Sequence, residues 1–265
     1  MSSPERLRGG RSEGSGFCGW AGPEEDVGMG VYQETADAIR SEAPVAAEPR
    51  HLSGDTAGAL EEAAAALRAG GLVVFPTDTL YALGADPLNG EALERLVRAK
   101  GGREKAIPLL LPGPEDLGRV AAEVPGLALT LARRFWPGPL TLILRGRSDL
   151  PQAVTGGTGT VGVRVPAGRV ALPLLKMLGG PVTGTSANRT GEPPPRRAEE
   201  VAADLLRHLE VILDGGACPV GAPSTVLDLT VSPPCVRRSG AVAVAALRRV
   251  QGLEGLQEPA EGSPA

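Results

Sequence analysis

The chain has 265 residues, 42% hydrophobic and 22% charged, with 37 Gly, 25 Pro and only 3% aromatics, which excludes a peptide or disulfide scaffold and predicts a Leu/Val/Ala core broken by many turns. The formal charge of −4 sits at the ends: residues 1–50 carry 5 Arg against 9 Asp and Glu, residues 251–265 carry three Glu, and residues 51–250 hold 22 basic against 19 acidic side chains. Cations are almost all Arg, with Lys100, Lys105 and Lys176 the only lysines.

Residues 1–54 mix Gly, Ser, Glu, Pro and Arg without a sustained period and are expected to be a disordered extension. Residues 251–265 read the same way, which leaves one domain over 55–250. Within it, Leu60, Ala63, Ala64 and Leu67 share a helical face that Gly70-Gly71 ends, and Leu72–Phe75 is a short buried strand. Asn89 can cap a second helix carrying Leu93, Leu96 and Val97, followed by a strand at Pro108–Leu111. Further strands are predicted at Leu140–Leu144, Val161–Val165, Val211–Leu213, Thr225–Leu229 and Cys235–Arg237, with helical spacing at Val170–Leu178 and Ala198–Leu209. This interleaving predicts an α/β (α+β) domain around one twisted mixed sheet flanked by helices.

No apolar run is long enough to cross a bilayer, and no apolar stretch before a small-residue cleavage site marks secretion, so a cytoplasmic protein with no membrane partner is expected. Cys18, Cys218 and Cys235 form no CxxC pair and His51 and His208 stand apart, which argues against a zinc site and a disulfide framework.

The chemistry-bearing segments are loops. Gly157–Gly162 spells GxGxxG, but a Gly/Thr loop precedes it and a strand follows, the reverse of a dinucleotide fingerprint; no P-loop pattern occurs. Pro76–Tyr81 (PTDTLY) places two hydroxyls and a carboxylate after a buried strand, either as a ligand site at a sheet edge or as a turn that satisfies itself. Lys100–Lys105 (KGGREK) sets three cations around a glycine bend, either to complement a helix dipole or to converge on a polyphosphate. Pro181–Glu192 is the densest polar run. For Arg164 and Arg238, each at the end of a strand, a surface salt bridge is the plain reading. Two scattered histidines rule out a Ser-His-Asp or Cys-His device, and cations, hydroxyls and glycines suit phosphoryl or nucleotidyl transfer run by positioning and charge.

Taken in order, PTDTLYALGAD at Pro76–Asp86, KGGREKAIPL at Lys100–Leu109, WPGPLTLIL at Trp136–Leu144, TVGVRVP at Thr160–Pro166, TGTSANRTGEPPP at Thr183–Pro195, DGG at Asp214–Gly216, STVLDL at Ser224–Leu229 and RSGAV at Arg238–Val242 resemble the YrdC-like threonylcarbamoyl-AMP synthases, in the short form without an extra C-terminal domain. The resemblance implies a single YrdC-like domain with a basic concave face and the conversion of ATP, L-threonine and bicarbonate into threonylcarbamoyl-AMP and pyrophosphate. That is the first step towards N6-threonylcarbamoyladenosine at position 37 of tRNAs reading codons that begin with A. It also implies Mg²⁺ with ATP, no organic cofactor, a downstream threonylcarbamoyl-transferase complex as partner, and tRNA or double-stranded RNA as a further ligand. Carried over by position, Lys100, Arg103, Ser186 and Asn188 are the expected catalytic set. Arg103, Thr160, Ser186 and Arg238 are expected at ATP, and Thr79, Arg164 and Ser224 at L-threonine. Two glycines separate Lys100 from Arg103 where the family has one residue, so either Lys100 or Lys105 faces the phosphates; Ile107, Pro112 and Ala82 also depart from the common pattern. The competing reading is a noncatalytic RNA-binding module.

Overall fold

The computed structural model describes residues 48–102 and 106–258. The strands are β1 (Arg50–Ser53), β2 (Val73–Pro76), β3 (Tyr81–Gly84), β4 (Leu109–Leu110), β5 (Leu140–Arg145), β6 (Thr160–Arg164), β7 (Val182–Thr183), β8 (Thr185–Ser186), β9 (Val211–Asp214), β10 (Thr225–Asp228) and β11 (Cys235–Arg238). The helices are α1 (Ala57–Arg68), α2 (Gly90–Ala99), α3 (Gly126–Phe135), α4 (Gln152–Thr155), α5 (Ala171–Leu178), α6 (Ala203–Leu206) and α7 (Val244–Leu247).

Local signals set the helix starts. The Thr56 hydroxyl accepts from Ala59 N–H at 3.3 Å and the Asn89 carboxamide accepts from Ala92 N–H at 3.1 Å, caps worth about 1 kcal/mol each. The strands keep the α/β class but divide into two mixed sheets rather than one: five strands in the order β1-β9-β2-β3-β8 and six in the order β11-β10-β5-β6-β4-β7. The division falls at Gly184. Thr183 beside it belongs to β7, which pairs with β4, and Thr185 belongs to β8, which pairs with β3. A Cβ at Gly184 would lie 2.4 Å from Leu110 Cγ, so only glycine lets the chain pass this close while changing sheets.

The period of two along each strand sorts the layers. In the first sheet, Val73, Phe75, Val211 and Leu213 pack on Leu60, Ala64 and Leu67 of α1 and Leu174 of α5. Leu72, Val74, Leu83 and Ile212 face the other way, onto Leu96 and Leu205. In the second sheet, Leu140, Leu142, Leu144, Val161 and Val163 bury themselves against Leu131 of α3 and Leu247 of α7. The alternate residues Thr141, Ile143, Thr160, Gly162 and Arg164 line an open cleft.

Both boundaries of the domain lie further out than expected. Arg50–Ser53, placed by sequence in the extension, forms β1 and pairs in parallel with Val211–Asp214. Leu253 and Leu256, placed in the tail, are buried in the second core, and Gln257 bridges to Cys235. Ala198–Leu209 is not one helix: a 3₁₀ turn at Ala198–Glu200 and the four-residue α6 are joined through an extended Val201. Ala198, Val201, Leu205 and Leu209 are nevertheless all buried, so the apolar spacing is satisfied without a continuous helix. Cys218 is a free buried thiol. Cys235 is disulfide-bonded, a departure from the expectation of reduced thiols. Among the described residues no helix is long and apolar enough to cross a membrane.

Candidate active site

A cleft of about 880 Å³ is lined by both sheets and by the loops after α2 and β8. Three cations face it, Lys100, Arg164 and Arg238, and among the described residues no carboxylate does. This is the electrostatics of an anion site.

Arg164, on the last residue of β6, is the most tightly held of the three. Its Nε donates to Gly138 O at 2.9 Å and Nη1 to Thr79 Oγ1 at 2.8 Å, while Nη2 donates to Asp78 Oδ1. Both members of the Asp78–Arg164 ion pair have side chains only 7% exposed, so this is a buried pair and not the surface salt bridge that the plain reading gave. Burial lowers the pKa of Arg164, and Asp78 opposes that shift. Three of the five guanidinium donors are used, leaving one on each terminal nitrogen, the number a carboxylate needs for bidentate binding.

Around it lies a chain of hydroxyls. Thr77 and Thr79 are hydrogen-bonded at 2.9 Å, and Thr77 Oγ1 also accepts from Leu80 N–H and donates to Leu80 O. The turn therefore satisfies itself and also presents Thr79 to the cleft. Ser224 and Thr141 share a hydrogen bond of 2.8 Å. Arg238 donates to Ser224 O through Nε at 3.2 Å and Nη2 at 3.0 Å, and Nη2 reaches Ser224 Oγ at 3.2 Å. Burial and the nearby Arg164 both lower the pKa of Arg238; two like charges share one desolvated site and favour an anion between them.

The other end is built from loops. Lys100, at the C-terminus of α2, is 4% exposed, and its ammonium donates to Ser186 O at 2.7 Å and Asn188 O at 2.6 Å. Thr190 Oγ1 returns a bond to Lys100 O at 3.2 Å. Lys100 therefore lines the cleft and also braces the loop that carries Ser186 and Asn188. Asn188 donates from Nδ2 to Arg189 O and Glu192 O, while its buried Oδ1 accepts from nothing among the described residues.

Thr79, Lys100, Thr160, Arg164, Ser186, Asn188, Ser224 and Arg238 all line this cleft, so the structure brings together eight expected positions from six separate segments. Arg103 and Lys105 lie outside the described residues. GxGxxG contributes Thr160 and Gly162 through β6, with no helix after it. Sequence reasoning passed over Thr141, although alternation along LTLIL opposes it to Leu140 and Leu142; it noted the Asp78 carboxylate in PTDTLY but not its partner Arg164, 86 residues away. The described residues hold no group of three His, Cys, Asp or Glu able to bind a metal.

Fold and cleft together define a two-sheet α/β domain with a concave, cationic cleft whose lining suits an anion. Its family is also fixed: the family model Sua5_yciO_yrdC, described as telomere recombination, matches residues 65–240, and the chain belongs to that family. It is 43% identical over 192 residues to a threonylcarbamoyl-AMP synthase of Pyrococcus abyssi (strain GE5 / Orsay), covering 72% of this chain and 56% of the relative. A threonylcarbamoyl-AMP synthase of Bacillus subtilis (strain 168) is 39% identical over 196 residues, with 73% and 56% covered. The chain thus spans about 56% of the length of these two curated relatives. The crystal structure of P. abyssi Sua5 complexed with L-threonine superposes with a TM-score of 0.73 at 38% identity, covering 78% of this chain and 61% of that one.

Proposed function

We propose that this domain is a nucleotidyltransferase that makes threonylcarbamoyl-AMP and pyrophosphate from ATP, L-threonine and bicarbonate, the first step of tRNA N6-threonylcarbamoyladenosine formation in the cytoplasm. The observation that carries it is the convergence of Thr79, Arg164, Ser224 and Arg238 in one cationic cleft with Ser186 and Asn188, in a chain whose relatives bear that activity in their names.

The reaction asks little covalent chemistry of the protein. The threonine amine and bicarbonate give a carbamate and water; a carbamate oxygen then bonds to the α-phosphorus of ATP as the bond to the bridging oxygen breaks and pyrophosphate leaves. Catalysis is positioning and charge stabilisation. The two remaining Arg164 donors take the threonine carboxylate, Thr79 and Ser224 its other polar groups, and Arg238, Thr160 and Ser186 the nucleotide, with Arg103 and Lys100 on the phosphate side. Among the described residues no cluster of carboxylates fits a protein-held magnesium, and Mg²⁺ is proposed to travel on the ATP phosphates. Transfer to tRNA falls to a downstream threonylcarbamoyl-transferase complex.

The test is pyrophosphate release by purified protein with ATP and Mg²⁺, adding threonine and bicarbonate singly and together, with mass spectrometry of the nucleotide. Release that needs both, with threonylcarbamoyl-AMP detected, is expected. Folded protein that releases none but binds RNA in a salt-sensitive manner would replace this reading by a noncatalytic RNA-binding module.

A further inference from the structure

Asp78 is the buried carboxylate on which the amino-acid end of the cleft hangs, yet it does not itself line the cleft. Its Oδ1 accepts from Arg164 Nη2 and, at 3.0 Å, from Ala167 N–H. Its main chain donates to Ala167 O at 3.1 Å and accepts from Val220 N–H at 2.9 Å. One residue in the β2–β3 turn of the first sheet thus ties down the end of β6 in the second sheet and the loop after β9. Its Oδ2 is buried with no hydrogen-bond partner among the described residues, an arrangement that costs stability. A carboxamide or hydroxyl could anchor the turn without burying a charge. What those could not do is balance the charge of the Arg164 guanidinium beside Arg238, which keeps the guanidinium docked on Oδ1.

We propose that Asp78 is a positioning residue for carboxylate recognition: it orients Arg164 so that the one remaining N–H on each terminal nitrogen points at the carboxylate of the amino-acid substrate. This rests on the threonine reading above. Asp78 reaches the substrate only through Arg164, so its effect on binding is confined to ligands that carry the carboxylate.

The experiment is calorimetric binding of L-threonine, L-threonine amide and ATP to the wild-type chain and to Asp78→Asn, with folding checked by circular dichroism. Asp78→Asn is expected to raise the Kd of threonine about tenfold or more, to change that of threonine amide less than about twofold, and to leave ATP binding within about twofold. Should Asp78→Asn not fold, Asp78→Glu keeps the buried charge while moving the carboxylate by one methylene, and the same selective loss for threonine is expected. An unchanged threonine Kd, or equal losses for threonine, its amide and ATP, overturns the inference and leaves the synthase reading standing. Wild-type protein that binds no threonine overturns that reading, and the inference with it.

Discussion

The two ends of the cleft are held by opposite means. At one end Arg164 is fixed by side chains and carbonyls from both sheets, Asp78 and Thr79 on one side and Gly138 on the other. At the other the loop carrying Ser186 and Asn188 is tied to α2 by the Lys100 ammonium and the Thr190 hydroxyl, beside Gly101 and Gly102 at φ of +93° and +81°. Under the proposed function this is a division of labour: the amino acid meets a preorganised fork on strands, whereas the nucleotide meets a cation at glycine-bearing loops.

The comparison predicts asymmetric responses to mutation. Arg164→Ala leaves the Asp78 carboxylate buried without its cation, so it should cost about 3–5 kcal/mol of stability, read as a fall in Tm, and should abolish threonine-dependent pyrophosphate release. A folded variant with wild-type threonine affinity would break the comparison at its stronger end. Lys100→Met removes the loop brace while keeping side-chain length. Displacing Ser186 and Asn188 by about 1 Å can cost on the order of a hundredfold in kcat, and amide exchange across residues 186–191 should quicken while threonine binding stays intact. Protection of that loop unchanged in Lys100→Met would show that the brace does not hold it. Thr141→Val deletes one hydroxyl of the Thr141–Ser224 pair without changing shape; a net hydrogen bond of about 1 kcal/mol corresponds to a several-fold rise in the threonine KM. An effect away from the cleft concerns Cys218, whose thiol burial pushes up to about 11. Because the unfolded thiol ionises near pH 9 and the folded one does not, stability should fall as pH rises from about 9 to 11, by at most about 1.4 kcal/mol per pH unit. Denaturant melts of wild type and Cys218→Ala across that range measure it; identical slopes would remove the thiol from the balance.

Much of this was legible in the chain. The caps Asn89 and Gly70, the apolar face of α1 and the runs at 140–144 and 161–165 mark elements through local chemistry alone, and the cleft positions follow from motif resemblance. What stayed hidden depends on distance along the chain. β1 is four residues in a polar stretch, and it becomes a strand only because β9 offers an open edge far downstream. Two sheets rather than one follow from Gly184, whose role shows only when Leu110 lies against it. That Lys100 also braces a loop shows only when the carbonyls of Ser186 and Asn188, up to 88 residues on, are seen to accept from its ammonium.

Gly184 also works as a gauge. The chain changes sheets there in a single step, so the strand ends at Thr183 and Thr185 stitch the two walls of the cleft together. With a Cβ only 2.4 Å from Leu110 Cγ, even alanine would wedge those walls apart, because packed interiors yield little to an added methyl. Aperture and stability are therefore set at the same atom. Gly184→Ala should widen the gap between Arg164 and Ser186, without touching a polar group of the site.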